Sequence, residues 1–298
     1  MRSRPLYFYM PGTLYIVSVP IGNYSDMTQR AREVLESVDF IASEDTRRTA
    51  ILLTNLNIEN RNRLISNHKF NEAAKSRYFI NDLVDGKDVA IVTDAGTPCI
   101  SDPGNELIKD AIEQGIRVTP VPGCCAAIAA LTVTGFDLSR FSFYGFFPRE
   151  NAARKKLCVQ IRRDARIPTV VFYESPKRII ETVEYFAQEF AGSRLCLCND
   201  LTKLHEYVYR GTVEEVLTEL KGRETAEKGE YVVIMEIDRS EEDGAQAEAI
   251  SPEAMLTETI IRDGVSMKEA IKKLADDPEI PYSKNVLYEA GLHLKELF

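Results

Sequence analysis

Between residues 13 and 121, short apolar runs alternate with stretches whose apolar residues recur every three or four positions. That rhythm limits the chain to few folds. The runs at 13–19, 39–43, 63–66, 88–93 and 116–121 read as buried strands, and 28–38, 47–56, 70–84 and 103–114 read as helices. Strand followed by helix, repeated, predicts a parallel sheet covered on both faces. Asp26 and Thr28 offer caps for the first helix, and Gly86 and Gly115 follow two helix ends. Ligands of such sheets bind beyond the carboxyl ends of the strands.

Beyond Pro122-Gly123 strands are denser, at 141–146, 169–173, 195–199, 206–210 and 231–237, with helices at 152–163, 176–189 and 213–220. A mixed sheet is expected there. Residues 239–250 are polar and acidic without periodicity and read as a linker. Three short helices follow, near 252–262, 266–275 and 283–296, where Gly264 stops one and Ser266 caps the next. Their spacing is that of a helix-turn-helix, but acidic residues outnumber basic ones, so packing support and direct RNA contact both stay open. The expected organisation is a leader at 1–11, α/β domains at 12–121 and 122–238, the linker, and a helical appendage at 251–298. The leader lacks the long apolar core of a signal peptide, and Met10 offers an alternative start.

No apolar stretch approaches the roughly 18 residues of a membrane span. The six cysteines form no CxxC pair and several sit in apolar runs, so they read as reduced, small hydrophobes of a cytoplasmic protein. A net charge of −9 disfavours nucleic acid if spread evenly. It is not spread evenly. Arg149, Arg154, Lys155, Lys156, Arg162, Arg163 and Arg166 are opposed locally only by Glu150 and Asp164. Such a cluster is either an ordinary solvated helix or a surface for an anionic partner.

Three loops rich in glycine and proline fall where strands end: Val19-Pro20-Ile21-Gly22-Asn23, the long turn from Thr93 to Gly104, and Pro120-Val121-Pro122-Gly123. A parallel sheet places all three at one edge. Neither a Walker A loop nor GxGxxG is present, which disfavours phosphate cradling. Asp94, Ser101 and Asp102 suit a cation or a hydroxyl-rich ligand, so a nucleoside-type cofactor competes with the reading of plain tight turns. Ser43-Glu44-Asp45-Thr46-Arg47 is either a helix cap with ion pairs or a substrate-facing site. His68 stands near Glu72, and no spacing of His, Cys and Asp argues for a metal.

Taken in order, these loops carry a resemblance, and later motifs extend it: Gly145-Phe146-Phe147-Pro148-Arg149, Phe172-Tyr173-Glu174-Ser175-Pro176 with Arg178, Leu201-Thr202-Lys203, Arg210-Gly211-Thr212 and Gly229-Glu230. The chain resembles the ribosomal RNA small-subunit methyltransferase I family, a branch of the tetrapyrrole methylases. That resemblance implies a two-domain α/β enzyme, usually a homodimer, with S-adenosylmethionine between the domains. It implies methyl transfer to the ribose 2′-oxygen of a cytidine in the decoding region, the position called 1402 in 16S RNA. The implied cofactor residues are Pro20, Asp94, Ala95, Gly96, Thr97, Pro98, Ile100, Ser101, Asp102, Tyr173, Glu174, Leu201 and Thr202. Candidates for a base on the ribose hydroxyl are Asp45 and His68, preferred narrowly, with Glu44 and Glu72. The expected RNA contacts are Arg47, Arg149, Arg154, Lys155, Lys156, Arg162 and Arg163. A small-molecule tetrapyrrole methylase of the same fold is the nearest rival. The family commonly has Pro-Ser where Cys124-Cys125 stand, glycine at Cys99, and Arg-Glu at Asn199-Asp200.

Overall fold

A computed structural model describes residues 10–59, 63–68, 72–164, 167–238, 251–277, 280 and 282–297. The chain forms two compact units that divide between Asp238 and Arg239. The expected linker lies outside the described residues, as do residues 1–9 of the expected leader.

The first sheet holds β1 (Thr13–Val17), β2 (Phe40–Ser43), β3 (Leu64–Ser66), β4 (Val89–Val92) and β5 (Arg117–Val121) in the order β3-β2-β4-β1-β5. Every pairing is parallel. Four helices cross between them: α1 (Gln29–Ser37), α2 (Thr46–Asn55), α3 (Glu72–Val84) and α4 (Asn105–Glu113). Strand β4 shows why both faces are covered, since all four of its residues are buried. Ala90 and Val92 pack with Leu35 and Leu53 of α1 and α2, while Val89 and Ile91 pack with Phe79 and Leu107 of α3 and α4. A strand buried on two faces has no polar side to alternate, hence its continuous apolar run. The Thr28 hydroxyl accepts from the Ala31 amide at 3.2 Å and starts α1.

After Val121 the chain enters the second sheet, made of β6 (Phe141–Phe146), β7 (Thr169–Glu174), β8 (Arg194–Asn199), β9 (Tyr207–Thr212) and β10 (Tyr231–Glu236). Its order is β6-β7-β10-β8-β9; only β6 and β7 pair in parallel, so the sheet is mixed as expected. One face carries α6 (Asn151–Arg163), α7 (Ile179–Glu189) and α8 (Val213–Lys221) on Phe172, Leu197 and Val233. The other carries α5 (Ala126–Leu131), which meets Val171, Cys196, Cys198 and Val232. Helix α5 was not expected. Six residues rich in alanine give too little periodicity to separate a helix from a loop. Cysteines are the small hydrophobes of this face, and all six are free thiols.

The second unit contains α9 (Pro252–Asp263), α10 (Met267–Ala275) and α11 (Lys284–Leu297) around Leu256, Ile271, Leu274 and Leu287. Gly264 closes α9 at φ +62, and Ser266 and Glu269 form a reciprocal capping box on α10.

Candidate active site

Because the first sheet is wholly parallel, its strand-end loops meet at one edge. Val19 and Gly96 exchange both backbone hydrogen bonds, at 2.9 and 3.1 Å, which staples the loop after β1 to the loop after β4. Gly96 sits at φ +80, where a side chain is strained, and an added Cβ would stand 3.3 Å from Ile21. Thr97 bonds the Ser18 hydroxyl at 3.0 Å and donates to the Cys124 carbonyl at 2.9 Å, bringing in the loop after β5. The second half closes on the same edge. A Cβ on Gly22 would lie 2.5 Å from Lys203 Cγ and 3.1 Å from the Leu201 carbonyl, so only glycine permits that approach.

These loops enclose a cavity of about 410 Å³, within the roughly 300–1,000 Å³ usual for small-molecule sites. Its first wall is Ile21, Glu44, Arg48 and the stretch from Thr93 to Thr97, with Ile100, Ser101 and Asp102. Three carboxylates here, Glu44, Asp94 and Asp102, face one cation, Arg48. Asp94 Oδ2 pairs with Arg48 at 3.2 Å, whereas its buried Oδ1 has no hydrogen-bond partner. Thr93 donates to Glu44 at 2.8 Å. Burial first, and then the Glu44 charge, raise the pKa of Asp94; Arg48 pulls it back. The same two causes in the same order lift Asp102 to about 6.

The second wall includes Cys125, Ala126, Phe146, Tyr173, Cys198, Leu201, Tyr231 and Val232. The Tyr173 hydroxyl accepts from the Ala127 amide at 3.3 Å, and burial pushes its pKa up to about 12, so it stays neutral. Glu174 reaches the cavity only as a support. Its carboxylate, itself out of solvent, takes Arg178 at 2.7 Å, Thr182 at 2.8 Å and the Ser175 amide at 2.6 Å. Thr202 lies beside Leu201 with φ +67, a conformation costly for a β-branched residue, and its buried hydroxyl has no hydrogen-bond partner.

Strand β6 contains a bulge. Phe143 pairs with Val171 but Phe146 pairs with Tyr173, so three steps on β6 match two on β7. Regular alternation would send Phe143 and Phe146 to opposite faces. The extra residue, with Gly145 at φ +66, restores Phe146 to the Phe143 side. The rings record the change of phase: Phe143 and Phe146 both meet Tyr173 edge-on, at 4.9 and 5.9 Å. Tyr144 and Phe147 both meet Phe172, on the opposite face, at 5.5 Å.

Of the expected cofactor residues, Asp94, Ala95, Gly96, Thr97, Ile100, Ser101, Asp102, Tyr173, Glu174 and Leu201 line the cavity. Pro20 and Pro98 are buried and outside the lining, and Thr202 follows Leu201 of its wall. Of the proposed bases, Glu44 alone among the described side chains is in the lining. Asp45 instead caps α2 through the Arg47 amide at 2.9 Å and holds the Arg47 side chain at 2.7 Å. Those bonds depress its pKa to about 2, too acidic for a base at neutral pH. His68 follows β3 at the same sheet edge, outside the lining, and the Glu72 side chain is outside the described residues. Sequence reasoning assigned no site role to Phe146, Tyr231 and Val232. Strand alternation in β10 would have found Val232, and the crowded acids and bases of the loop after β2 pointed to the neighbourhood of Arg48.

The basic stretch divides in two. Arg149, Lys155, Lys156 and Arg163 are exposed. Arg154 corrects the expectation of an RNA contact. Its side chain is 6% exposed, bonds Glu181 at 2.6 Å and the Pro148 carbonyl at 2.9 Å, and lies over the rings of Phe147 and Tyr185. Arg162 is half-committed, to Glu189 at 2.5 Å and over Phe190. Arg166 is outside the described residues. Arg154→Ala should therefore cost roughly 1.5–3 kcal/mol of stability, as expected for lost hydrogen bonds to a charged group. It should leave RNA affinity per folded molecule unchanged. Lys155→Glu with Lys156→Glu should keep the melting temperature but weaken RNA binding and flatten its salt dependence. Thermal melts and binding at several salt concentrations separate the two; an unaltered salt slope for the lysine pair returns that surface to plain solvation.

Comparison with known proteins places this geometry. Residues 13–217 match the family model for Tetrapyrrole (Corrin/Porphyrin) Methylases. The chain is 39% identical to a ribosomal RNA small subunit methyltransferase I of Halalkalibacterium halodurans, over 91% of this chain and 92% of that protein. It is also 39% identical to its Escherichia coli O157:H7 namesake, over 94% and 95%. Among solved structures, a Thermus thermophilus uroporphyrin-III C-methyltransferase complexed with S-adenosylhomocysteine shares the fold at TM-score 0.53 and 16% identity, covering 76% of this chain and 97% of that one. The chain thus belongs to the ribosomal RNA small subunit methyltransferase I family of tetrapyrrole methylases.

Proposed function

We propose that the protein transfers a methyl group from S-adenosylmethionine to the ribose 2′-oxygen of a cytidine in the decoding region of small-subunit ribosomal RNA. The observation that carries the reading is the cavity itself: glycine-bearing turns at the sheet edge, and a first wall in which Glu44, Asp94 and Asp102 face a single arginine. An orphaned buried oxygen on Asp94 and a net negative lining suit a ligand with an ammonium and a sulfonium. When bound, that cofactor supplies a methyl group already activated on positively charged sulfur.

The chain's own contribution divides into holding, drying and proton handling. Asp94 to Thr97 hold the cationic and ribose parts, with Leu201 opposite. Ile21, Tyr173 and Val232 keep water from the reacting centre. Alignment of the reactants can offset on the order of 7–11 kcal/mol of barrier. Asp102 takes the proton that the ribose hydroxyl gives up, since its pKa of about 6 is close to neutral and leaves it mostly ionised at pH 7. Burial is the main cause of that value, and the Glu44 charge adds to it. The exposed Arg149, Lys155, Lys156 and Arg163, with Arg48 at the cavity, suit RNA phosphates.

The reading includes a homodimer acting in the cytoplasm on the small subunit; among the described residues no helix is long and apolar enough to cross a membrane. Its test is labelled methyl transfer to small subunits purified from cells lacking the modification, with the methylated ribose mapped. Label absent from decoding-region ribose sinks the reaction, and a single copy by sedimentation sinks the dimer.

A further inference from the structure

We infer that Phe146 is the platform on which the base of the target nucleotide stacks while its ribose enters the cavity. The inference rests on the proposed RNA reaction and adds the residue that positions the acceptor. A large apolar side chain left 57% exposed at a cavity mouth calls for a reason. Here the backbone has been altered to keep it there. Without the bulge, Phe146 would turn to the face where Phe147 is now buried, and the cavity would lose it. The bulge gives up regular pairing and needs Gly145 at φ +66; the same slip buries Phe147 in the core and presents Phe146 at the cavity.

The surroundings select the ligand. Tyr173 supports Phe146 edge-on from within, which fixes the ring and leaves it free to receive a flat partner. Ile100 and Ser101, also exposed, share the rim. The rim side chains Phe146, Ile100 and Ser101 are themselves uncharged, so an uncharged planar group can lie against them. RNA read outside a duplex is recognised by splaying a base onto an aromatic face, and a ribose hydroxyl in a folded subunit must be brought out to meet a buried methyl donor. Stacking tolerates any base, so Phe146 sets position and not sequence.

The experiment compares wild type with Phe146→Ala, Phe146→Leu and Phe146→Tyr on unmodified small subunits, with cofactor affinity measured by calorimetry and folding by thermal melts. Stacking predicts that Ala and Leu both lower kcat/KM for the subunit by roughly 5- to 140-fold, the range of alanine costs for base–aromatic stacks. Tyr, which keeps the ring face, stays within a few-fold of wild type, and cofactor affinity changes little in all three. Rescue by Leu overturns the proposal in favour of simple apolar cover. An equal loss of cofactor affinity overturns it in favour of contact with the cofactor's own base. Active wild type with unaffected variants removes the stack alone, whereas inactive wild type removes the reaction on which it depends.

Discussion

Asp102→Asn should lower methyl transfer by roughly 10²–10⁴-fold, the usual worth of a positioned base, while raising the melting temperature at pH 7.5. The two effects share one cause. Burial and the neighbouring Glu44 charge hold the Asp102 pKa at about 6, above its ordinary 3.8. A carboxyl with a raised folded pKa binds its proton more tightly in the folded state. Stability therefore falls as pH climbs from 3.8 toward 6 and stays lower above that. Asparagine keeps the shape without the charge and escapes that loss. The gain should be a few degrees, given about 2–4 °C per kcal/mol for a domain of 150–250 residues. The wild-type rate should drop as pH falls through about 6, and the variant's residual rate should lose that step. Thermal melts at pH 5 and 7.5 and a pH–rate profile check both halves. Equal melting of the two proteins at pH 7.5 would remove the electrostatic argument, and a retained step would move the base to another group.

Gly104→Ala should be the most damaging single methyl group at this edge of the sheet. Gly104 opens α4 at φ +132, and an added Cβ would lie 2.4 Å from Cys99 Sγ. The conformation alone costs on the order of 1–3 kcal/mol for a side chain, and overlap with sulfur adds to it. Cys99 itself is left-handed, at φ +67. That is a conformation in which glycine is unstrained and a side chain is not. Cys99→Gly alone should be near neutral, because relief of strain is offset by about 0.5–1 kcal/mol of extra chain freedom in the unfolded state. Combined with Gly104→Ala it should recover the steric part of the loss, a coupling of roughly 0.5–3 kcal/mol. Denaturant titrations of the two single variants and the double variant measure it. Strict additivity would place the strain elsewhere.

The first half of the fold was open to reading because its strands are buried on both faces and its helices are amphipathic; Ala90 and Val92 against Val89 and Ile91 leave little choice. Helix α5 was hidden by its six-residue length. The site was legible where backbone demands glycine or proline, at Gly22, Gly96 and Gly104, since those demands are local. Roles set by which partner a side chain takes were not, even where, as at Asp45, a helix cap with ion pairs was one of the two readings. Asp45 is spent on Arg47, Arg154 is enclosed by Phe147, Tyr185 and Glu181, and Glu174 serves Arg178 and Thr182. A titratable residue in a loop looks the same in sequence whether or not the fold has already claimed it. Phe146 escaped notice for a related reason: the bulge that presents it shifts a period of two, and nothing in Phe141–Phe146 signals the slip except Gly145.

The paired hydrogen bonds between Val19 and Gly96 bear on affinity as well as on shape. Ordering a residue costs on the order of 1–2 kcal/mol, and here folding meets that cost before any ligand arrives. Binding enthalpy at this wall should then reach the measured affinity with little deduction, and damage to the staple should be felt first as weaker binding, well before the protein itself comes apart.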